Sequence, residues 1–315
     1  MEDTMLDKNE TILITGSGGV IGRALVEELN SRDYSRVVAL ASSDGDLRNQ
    51  NKTNEIFSEI KPKVVFHLAA RGSGIMGNMK NRAAAYVDNI RINTNVIESA
   101  HLAGARKIVA MGTAAVYSDL CTLPISEDDI WLGPPHSSEA PYGHAKRAML
   151  AQLEAFKEQY GLDYAYCIST NLFGPHDKFD ENFGHVLPSL ISKFYRAVKD
   201  GSEVTIWGDG SPQRDFLYSR DAASAMVLIA DHVSGSVNLA TGQYVRIRDV
   251  VDILARISGY KGKINWDVSM PNGQMLREYS VDRLKKAGFV QAYSLEDALF
   301  ETYSWYSKNF SVARR

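Results

Sequence analysis

The run Thr15-Gly16-Ser17-Gly18-Gly19-Val20-Ile21-Gly22 constrains this chain more than any other segment. It follows a short apolar, β-branched stretch at residues 11–15. It opens residues 21–29, where Ile21, Leu25 and Leu29 recur at helical spacing. Strand, glycine turn and helix, in that order, are the context that a dinucleotide fingerprint requires. The glycines permit a tight turn and let the backbone approach a pyrophosphate. Amides at the helix N-terminus then meet its charge. Gly16, Gly18, Gly19, Val20, Ile21 and Gly22 are therefore expected to hold a nucleotide cofactor. No Gly-Lys-Ser/Thr follows, which argues against a P-loop triphosphatase.

Further apolar runs at residues 37–40, 64–68, 107–111 and 165–169 read as buried parallel strands. Helical stretches at residues 54–60, 86–103 and 145–159 alternate with them. This alternation predicts an α/β fold, a doubly wound, Rossmann-like parallel sheet with right-handed crossovers. Pro, Gly and aromatic residues then punctuate residues 171–218. Residues 222–229, 247–257 and 295–306 read as helices, and 265–267 as a short strand. The expectation is a dinucleotide-binding part, mainly residues 1–170, and a smaller substrate-facing lobe, mainly residues 171–315. Some segments of the lobe should return to the main sheet. No internal repeat is present.

Of 315 residues, 35 are Lys or Arg and 38 Asp or Glu, a net charge of −3, which makes a non-specific nucleic-acid binder a poor reading. Two cysteines, Cys121 and Cys167, cannot make a disulfide framework or a four-Cys zinc site, and no metal-ligand set is assigned. The polar N-terminus is unlike a signal peptide, and no apolar run approaches the length of a membrane helix. These features predict a cytoplasmic protein with no membrane partner.

The second strand leads into Ala41-Ser42-Ser43-Asp44-Gly45-Asp46-Leu47-Arg48. Neither an acid for a ribose hydroxyl nor an Arg for a 2′-phosphate follows Leu40 directly. Ser42 could donate to ribose or phosphate. Asp46, with Leu47 beside it, could reach the adenine or cap the next helix. With no carboxylate placed to repel a phosphate, the reading tips to NADP(H), with NAD(H) left open. In His67-Leu68-Ala69-Ala70, small residues would let the cofactor cross the sheet edge, while His67 reads as a satisfied core histidine.

Tyr142 and Lys146 lie four residues apart and share one helix face. An ammonium near the phenol would favour phenolate, which suits proton exchange with a carbonyl or alcohol while hydride moves. Thr113, at the end of a preceding strand, supplies a hydroxyl to orient that oxygen, or acts as a local cap.

Residues 15–22, Thr113, Tyr142 and Lys146 together resemble the extended short-chain dehydrogenase/reductases that act on nucleotide sugars. Asn171-Leu172-Phe173-Gly174-Pro175-His176-Asp177, Gly184-His185-Val186-Leu187-Pro188, Trp207-Gly208-Asp209-Gly210 and Arg214-Asp215-Phe216-Leu217 extend that likeness to the GDP-L-fucose synthase family, over residues 10 to 307. The resemblance implies that NADPH is used on a GDP-4-keto-6-deoxy sugar, with epimerisation at carbons 3 and 5 and then reduction at carbon 4. It implies a cysteine and a histidine as the epimerising acid–base pair. His185 matches the histidine, but Ala115 stands where the family has cysteine. The expected activity is therefore reduction at carbon 4 of a GDP-linked hexose or heptose without epimerisation. The alternatives are the bifunctional reaction, an epimerase that returns its hydride, and a non-catalytic nucleotide-binding subunit.

The resemblance further implies that Arg214 contacts the sugar's phosphates and that Trp207 packs on base or sugar. It implies that Asn171 orients the sugar or fixes the active-site loop beside the cofactor. Lys193 and Arg277 are expected as secondary nucleotide contacts. A glycine-containing loop from Arg71 to Gly77 should lie at the cofactor edge, with Asn78-Met79-Lys80-Asn81 shaping the sugar pocket. A homodimer is implied, with helices 86–103 and 145–159 available as its interface.

Overall fold

Short apolar strands and amphipathic helices alternate through the first half of the chain. A computed structural model describes residues 6–72, 81–181, 184–270 and 272–314. In chain order the elements begin β1 (Ile12–Thr15), α1 (Val20–Ser31), β2 (Val37–Leu40), α2 (Gln50–Ile60), β3 (Val64–His67), α3 (Arg82–Leu102), β4 (Lys107–Met111), α4 (Ala140–Tyr160) and β5 (Asp163–Ser169). They continue as β6 (Asn171–Phe173), α5 (Val186–Asp200), β7 (Val204–Trp207), β8 (Gln213–Arg214), β9 (Phe216–Tyr218), α6 (Ser219–His232) and β10 (Gly235–Leu239). The chain closes with β11 (Val245–Arg246), α7 (Ile247–Ser258), β12 (Ile264–Asp267), α8 (Asp282–Lys286) and α9 (Leu295–Asn309).

The main sheet is parallel throughout, in the order β2-β1-β3-β4-β5-β10. The expected doubly wound α/β architecture is present. One face buries Leu13, Val65, Ile108 and Tyr166 with α2, α3 and α4. The other buries Ile12, Ile14, Phe66 and Val109 against α1 and α6. Both faces are covered, so the strands need no alternation of polar and apolar residues.

β10 reads Gly-Ser-Val-Asn-Leu and carries little strand signal. Its polar centre is tolerated because Asn238 is fully bonded. Asn238 Nδ2 donates to Ile125 O and Ser280 O, and its Oδ1 accepts from the Tyr117 hydroxyl. The sequence reading also misses α5, together with the short elements β6, β7, β8, β9, β11 and α8. Pro188 lies in the first turn of α5, where a missing N–H removes no intrahelical bond.

After β5 the chain crosses between two bodies. α5, α7 and α9 surround a separate apolar core of Phe194, Ile206, Leu254, Leu299 and Tyr306. β7 pairs with β12, and β8 with β11, beside it. Between these excursions α6, β10 and α8 pack on the main sheet. β6 and β9 pair in parallel where the two bodies meet.

Candidate active site

The crevice between β1 and β3 lies where the strand order reverses, the usual ligand position in an open parallel sheet. Gly16 has φ +71°, and a Cβ there would sit 2.7 Å from Ala69 N. This glycine lets the turn press against the end of β3. A Cβ on Gly22 would sit 2.4 Å from Gly16 O, so Gly22 lets α1 close onto the turn. Gly18 differs, because its Cβ would meet only Ala41 Cβ, at 3.9 Å. Ser17 N–H ties the turn to Leu40 O at 3.1 Å. Gly19 caps α1 without a side-chain hydrogen bond, and the first turn carries no acidic residue. Val20 and Ile21 begin the helix. An open glycine face beside uncapped helical amides fits a pyrophosphate.

Leu68, Ala69 and Ala70 follow β3 at the other wall of the crevice. His67 is fully buried, with Nδ1 2.8 Å from Thr15 Oγ1 and Nε2 3.1 Å from Asn93 Oδ1. Burial pushes its imidazole down to about 3, so it is a neutral core histidine.

At the β2 edge, Ser42 is exposed and Leu47 is buried in the core. Asp46 does not cap α2. Asn49 does, accepting from Lys52 N–H. Asp46 instead pairs with Arg48 at 2.8 Å, and that hydrogen bonding holds its carboxyl down at about 2. Arg48 also reaches Asp88 at 3.4 Å, and Arg71 binds the same carboxylate at 2.5 Å. Two guanidiniums thus share Asp88 beside the nucleotide crevice. The sequence contains both arginines, but their convergence depends on the fold of α3. Of the expected cofactor-edge loop, residues 73–80 lie outside the described residues.

Thr113 leaves β4 and caps the short turn Ala114–Val116, its Oγ1 accepting from Ala115 N–H at 3.3 Å. α4 presents Tyr142 and Lys146 to this turn. Gly143 between them allows the approach, since a Cβ there would lie 2.5 Å from Ala115 O and 2.9 Å from Pro135 Cβ. A glycine inside a helix costs about 1 kcal/mol against alanine, which is the signal that could have marked it. Lys146 is 1% exposed, and its Nζ donates to Met111 O at 2.7 Å. The same Nζ stands 5.9 Å from the Tyr142 ring centre. The phenol faces Gly72, 3.9 Å from where a Cβ would stand.

Burial raises the Tyr142 phenol above its usual range, with Glu139 adding to the effect. Burial also lowers Lys146, to about 7. The expectation that the lysine would favour phenolate is not met in this arrangement, because loss of water outweighs a charge that is itself weakened. The phenol keeps its proton, the state a proton donor needs.

Ala115 is 8% exposed and carries no titratable group into the site. Neither cysteine takes its place. Cys167 is buried on β5, and burial pushes its thiol up to about 12. Cys121 is half-buried with Sγ 3.8 Å from Asp129 O, and burial raises it as well.

On the lobe side, Arg214 is half-buried and its Nη1 donates to Gln213 O at 2.7 Å. Burial and the neighbouring Arg277 depress it. Arg277 itself donates to Ala114 O at 3.2 Å, Tyr117 O at 3.4 Å and Asp119 at 2.9 Å. It is a strut between the 272–279 segment and the turn that carries Ala115. The Asn171 amide donates to Asp215 O at 2.9 Å. Asp215, 1% exposed, accepts from Thr170 and Thr241 side chains and from the Thr241 and Gly242 amides. This carboxylate fixes the crossing between the two bodies, and the sequence reading assigned it no part of its own.

Lys193 Nζ donates to Thr205 O at 3.0 Å, beside β7, and Trp207 at the end of that strand is 49% exposed. His185 is exposed and caps α5. Pro271 lies outside the described residues. Among the described residues no cluster of His, Cys, Asp or Glu is arranged to hold a metal, and no helix is long and apolar enough to cross a membrane.

The nucleotide crevice, the Thr113–Tyr142–Lys146 grouping and the parallel sheet define a nicotinamide-dependent oxidoreductase of the extended short-chain dehydrogenase/reductase type. The sequence pattern of the NAD dependent epimerase/dehydratase family matches residues 12–240, and the chain belongs to that family. Among its relatives is GDP-L-fucose synthase 1 of Arabidopsis thaliana, 34% identical over 97% of this chain and 96% of that protein. A GDP-L-fucose synthetase from Naegleria fowleri bound to NADP superposes with TM-score 0.94 at 30% identity, covering 100% of this chain and 98% of that one. A GDP-6-OMe-4-keto-L-xylo-heptose reductase from Campylobacter jejuni superposes with TM-score 0.90 at 26% identity, covering 96% and 99%.

Proposed function

We propose that this enzyme reduces carbon 4 of a GDP-linked 4-keto-6-deoxy sugar, a hexose or a heptose, without inverting carbons 3 and 5. The observation that carries the reading is Ala115. It is buried at the turn facing the Tyr–Lys helix, where the family's epimerising cysteine belongs, while Thr113, Tyr142 and Lys146 are all in place. Removing a ring proton beside a ketone and returning it on the other face needs an acid and a base on opposite sides. Methyl Cβ offers neither. The relatives named above, one a ketoheptose reductase and two making GDP-L-fucose, support a GDP-linked keto sugar.

A bound nicotinamide supplies the hydride. Tyr142, protonated at neutral pH, gives its proton to the oxygen of carbon 4, and Thr113 orients that oxygen. Lys146 holds the helix against Met111 O and offers its remaining protons to the cofactor ribose. Gly16, Gly18, Gly19, Val20, Ile21 and Gly22 hold the pyrophosphate, with Ser42, Leu47, Leu68, Ala69 and Ala70 along the nucleotide. Asp46 acts there through its pair with Arg48. That guanidinium at the β2 edge, and the NADP bound to the Naegleria relative, support NADP(H) over NAD(H).

Arg214 faces the sugar diphosphate, and its lack of a carboxylate partner among the described residues suits that task. Trp207, Lys193, Asn171, Arg277 and His185 line the sugar-nucleotide side, within residues 171–315. Residues 1–170 serve mainly the dinucleotide. We assign a cytoplasmic homodimer whose contact is the outer face of α3 and α4. There a cavity of about 690 Å³ lined by Tyr86, Trp131, His144 and Arg147 lies open, with Tyr86 42% and Trp131 52% exposed.

The test is incubation with GDP-4-keto-6-deoxy-mannose and NADPH in heavy water. NADPH consumption with unlabelled carbons 3 and 5 is expected. Deuterium at both carbons in an inverted product would overturn the reductase-only reading.

A further inference from the structure

Lys146 and Arg147 are consecutive on α4, and both are buried, at 1% and 7% exposed. They grip one short stretch of chain at two points. Lys146 Nζ donates to Met111 O at 2.7 Å, where β4 ends. Arg147 Nε donates to Val116 O at 2.8 Å, on the far side of the turn. Thr113 and Ala115 lie between these two anchors. The stretch is also closed on itself, because Val116 N–H donates to Thr113 O at 3.1 Å. Both polar groups of Val116 are thus committed, one to Thr113 and the other to Arg147.

Arg147 Nη1 donates to Gly133 O at 2.7 Å. Gly133 has φ +61°, and a Cβ there would lie 2.8 Å from Ser118 Oγ, so this carbonyl is presented by a backbone that glycine adopts without strain. On its outer side the guanidinium carbon stands 6.0 Å from the Trp131 ring centre. Among the described residues no carboxylate pairs with this guanidinium, and its Nη2, shut off from water, has no partner. Burying such a cation is costly, and a costly group that a fold retains asks for an explanation. One ammonium could not replace it, since separate nitrogens of a single rigid plane meet the two carbonyls.

We propose that Arg147 is a positioning residue for the reduction, acting through Val116 to hold the Thr113 hydroxyl in register with Tyr142 on the same helix. The inference rests on the proposed function for the task of that hydroxyl, which is to orient the oxygen of carbon 4. Phenol and hydroxyl must meet one oxygen, so a small displacement between them is expensive in rate. Without Arg147 the turn would keep Arg277 on Ala114 O and Tyr117 O, at 3.2 and 3.4 Å. Those longer bonds tie it to the 272–279 segment and carry no register with α4.

The test joins amide hydrogen exchange to steady-state kinetics with GDP-4-keto-6-deoxy-mannose and NADPH. In the wild type the Val116 amide should exchange within about tenfold of the Val109 amide in β4. Arg147→Lys keeps the charge, and Arg147→Met keeps the bulk without it. In both, Val116 should exchange at least about tenfold faster while Val109 is unmoved. Their kcat should fall about 10- to 100-fold, with KM for both substrates within about twofold of wild type. The same substitutions made in Thr113→Val should lower kcat by less than about twofold, since the hydroxyl they misplace is gone. An arginine that served the fold alone would lower kcat equally with and without that hydroxyl, and this result overturns the inference. So does an unmoved Val116 amide in either folded variant, or a wild-type Val116 amide as fast as that of exposed Asp119. The wild-type comparison needs no variant to fold. Absence of ketosugar reduction by the wild type would instead defeat the proposed function, and exchange at Val116 would then decide the inference alone.

Discussion

Lys146 donates to the Met111 main-chain carbonyl at 2.7 Å, so the last residue of β4 and the Tyr142 face of α4 are joined by one buried bond. The bond explains how an ammonium can be 1% exposed without a carboxylate beside it. It also sets the height of Tyr142 one turn earlier. Tyr142→Phe should lower ketosugar-dependent NADPH oxidation by about 100- to 10,000-fold. Cofactor binding, read by fluorescence titration, should be little changed. Lys146→Met should lower turnover and also weaken cofactor binding. Equal loss of cofactor affinity in both variants would place the phenol in the cofactor site rather than over the sugar.

Ala115 invites the opposite kind of variant. Its neighbours on the turn are already in place, and cysteine adds one sulfur where alanine has a methyl group. Ala115→Cys should begin solvent-deuterium incorporation beside the ketone, detectable by NMR, while C4 reduction persists. No exchange in a folded, reducing variant would mean that the acid–base geometry is lost elsewhere too.

The glycine turn, five sheet strands and the Tyr–Lys pair were legible in the sequence because each rests on local spacing. Apolar runs mark buried strands, glycines mark close approaches, and a four-residue interval marks one helix face. Roles that depend on distant partners were not legible. Asp46 looks free for adenine or for a helix cap until Arg48 is seen to occupy it and Asn49 to do the capping. Arg277 reads as a secondary nucleotide contact, yet three of its bonds run to the 114–119 turn. β10 was missed because Asn238 satisfies its polar groups through Tyr117, Ile125 and Ser280, residues far away in the chain.

The two lobe arginines should therefore separate kinetically. Arg214→Ala removes a guanidinium that no carboxylate holds among the described residues. It should raise KM for the nucleotide sugar by about 10- to 100-fold, the worth of one charge-assisted pair. Arg277→Ala frees the turn that carries Thr113 and Ala115 and should mainly lower kcat. Steady-state kinetics on both variants decides the matter, and a pure KM effect in Arg277→Ala would return that residue to the nucleotide.

Gly143 is a packing constraint with a stability consequence. A methyl group there would press on Ala115 O at 2.5 Å and on Pro135, neither of which is the free end of a flexible chain. Gly143→Ala should gain helix propensity yet lose about 2 kcal/mol overall through the forced separation. Denaturant midpoints measure the loss. A neutral or stabilised variant would show that α4 can slide without cost, and the exact seating of Tyr142 would then not depend on this glycine.

His67 gives the protein an acid-sensitive core. Its imidazole is buried and neutral, lowered to about 3 by loss of water, with the nearby Lys146 charge adding to the effect and Asn93 opposing it. The unfolded chain binds a proton at the ordinary value of 6.5, so below that value it holds more protons than the folded state. Stability from this group is complete above about 6.5 and is lost as pH falls toward about 3. Between pH 7 and pH 5 the loss should come to about 2 kcal/mol. His67→Gln, less stable at pH 7 because Thr15 and Asn93 lose their fitted partner, should show a flatter stability curve across that interval. Urea unfolding at both pH values supplies the four free energies required. Parallel curves for the two proteins would mean that the imidazole titrates alike in the folded and the unfolded chain.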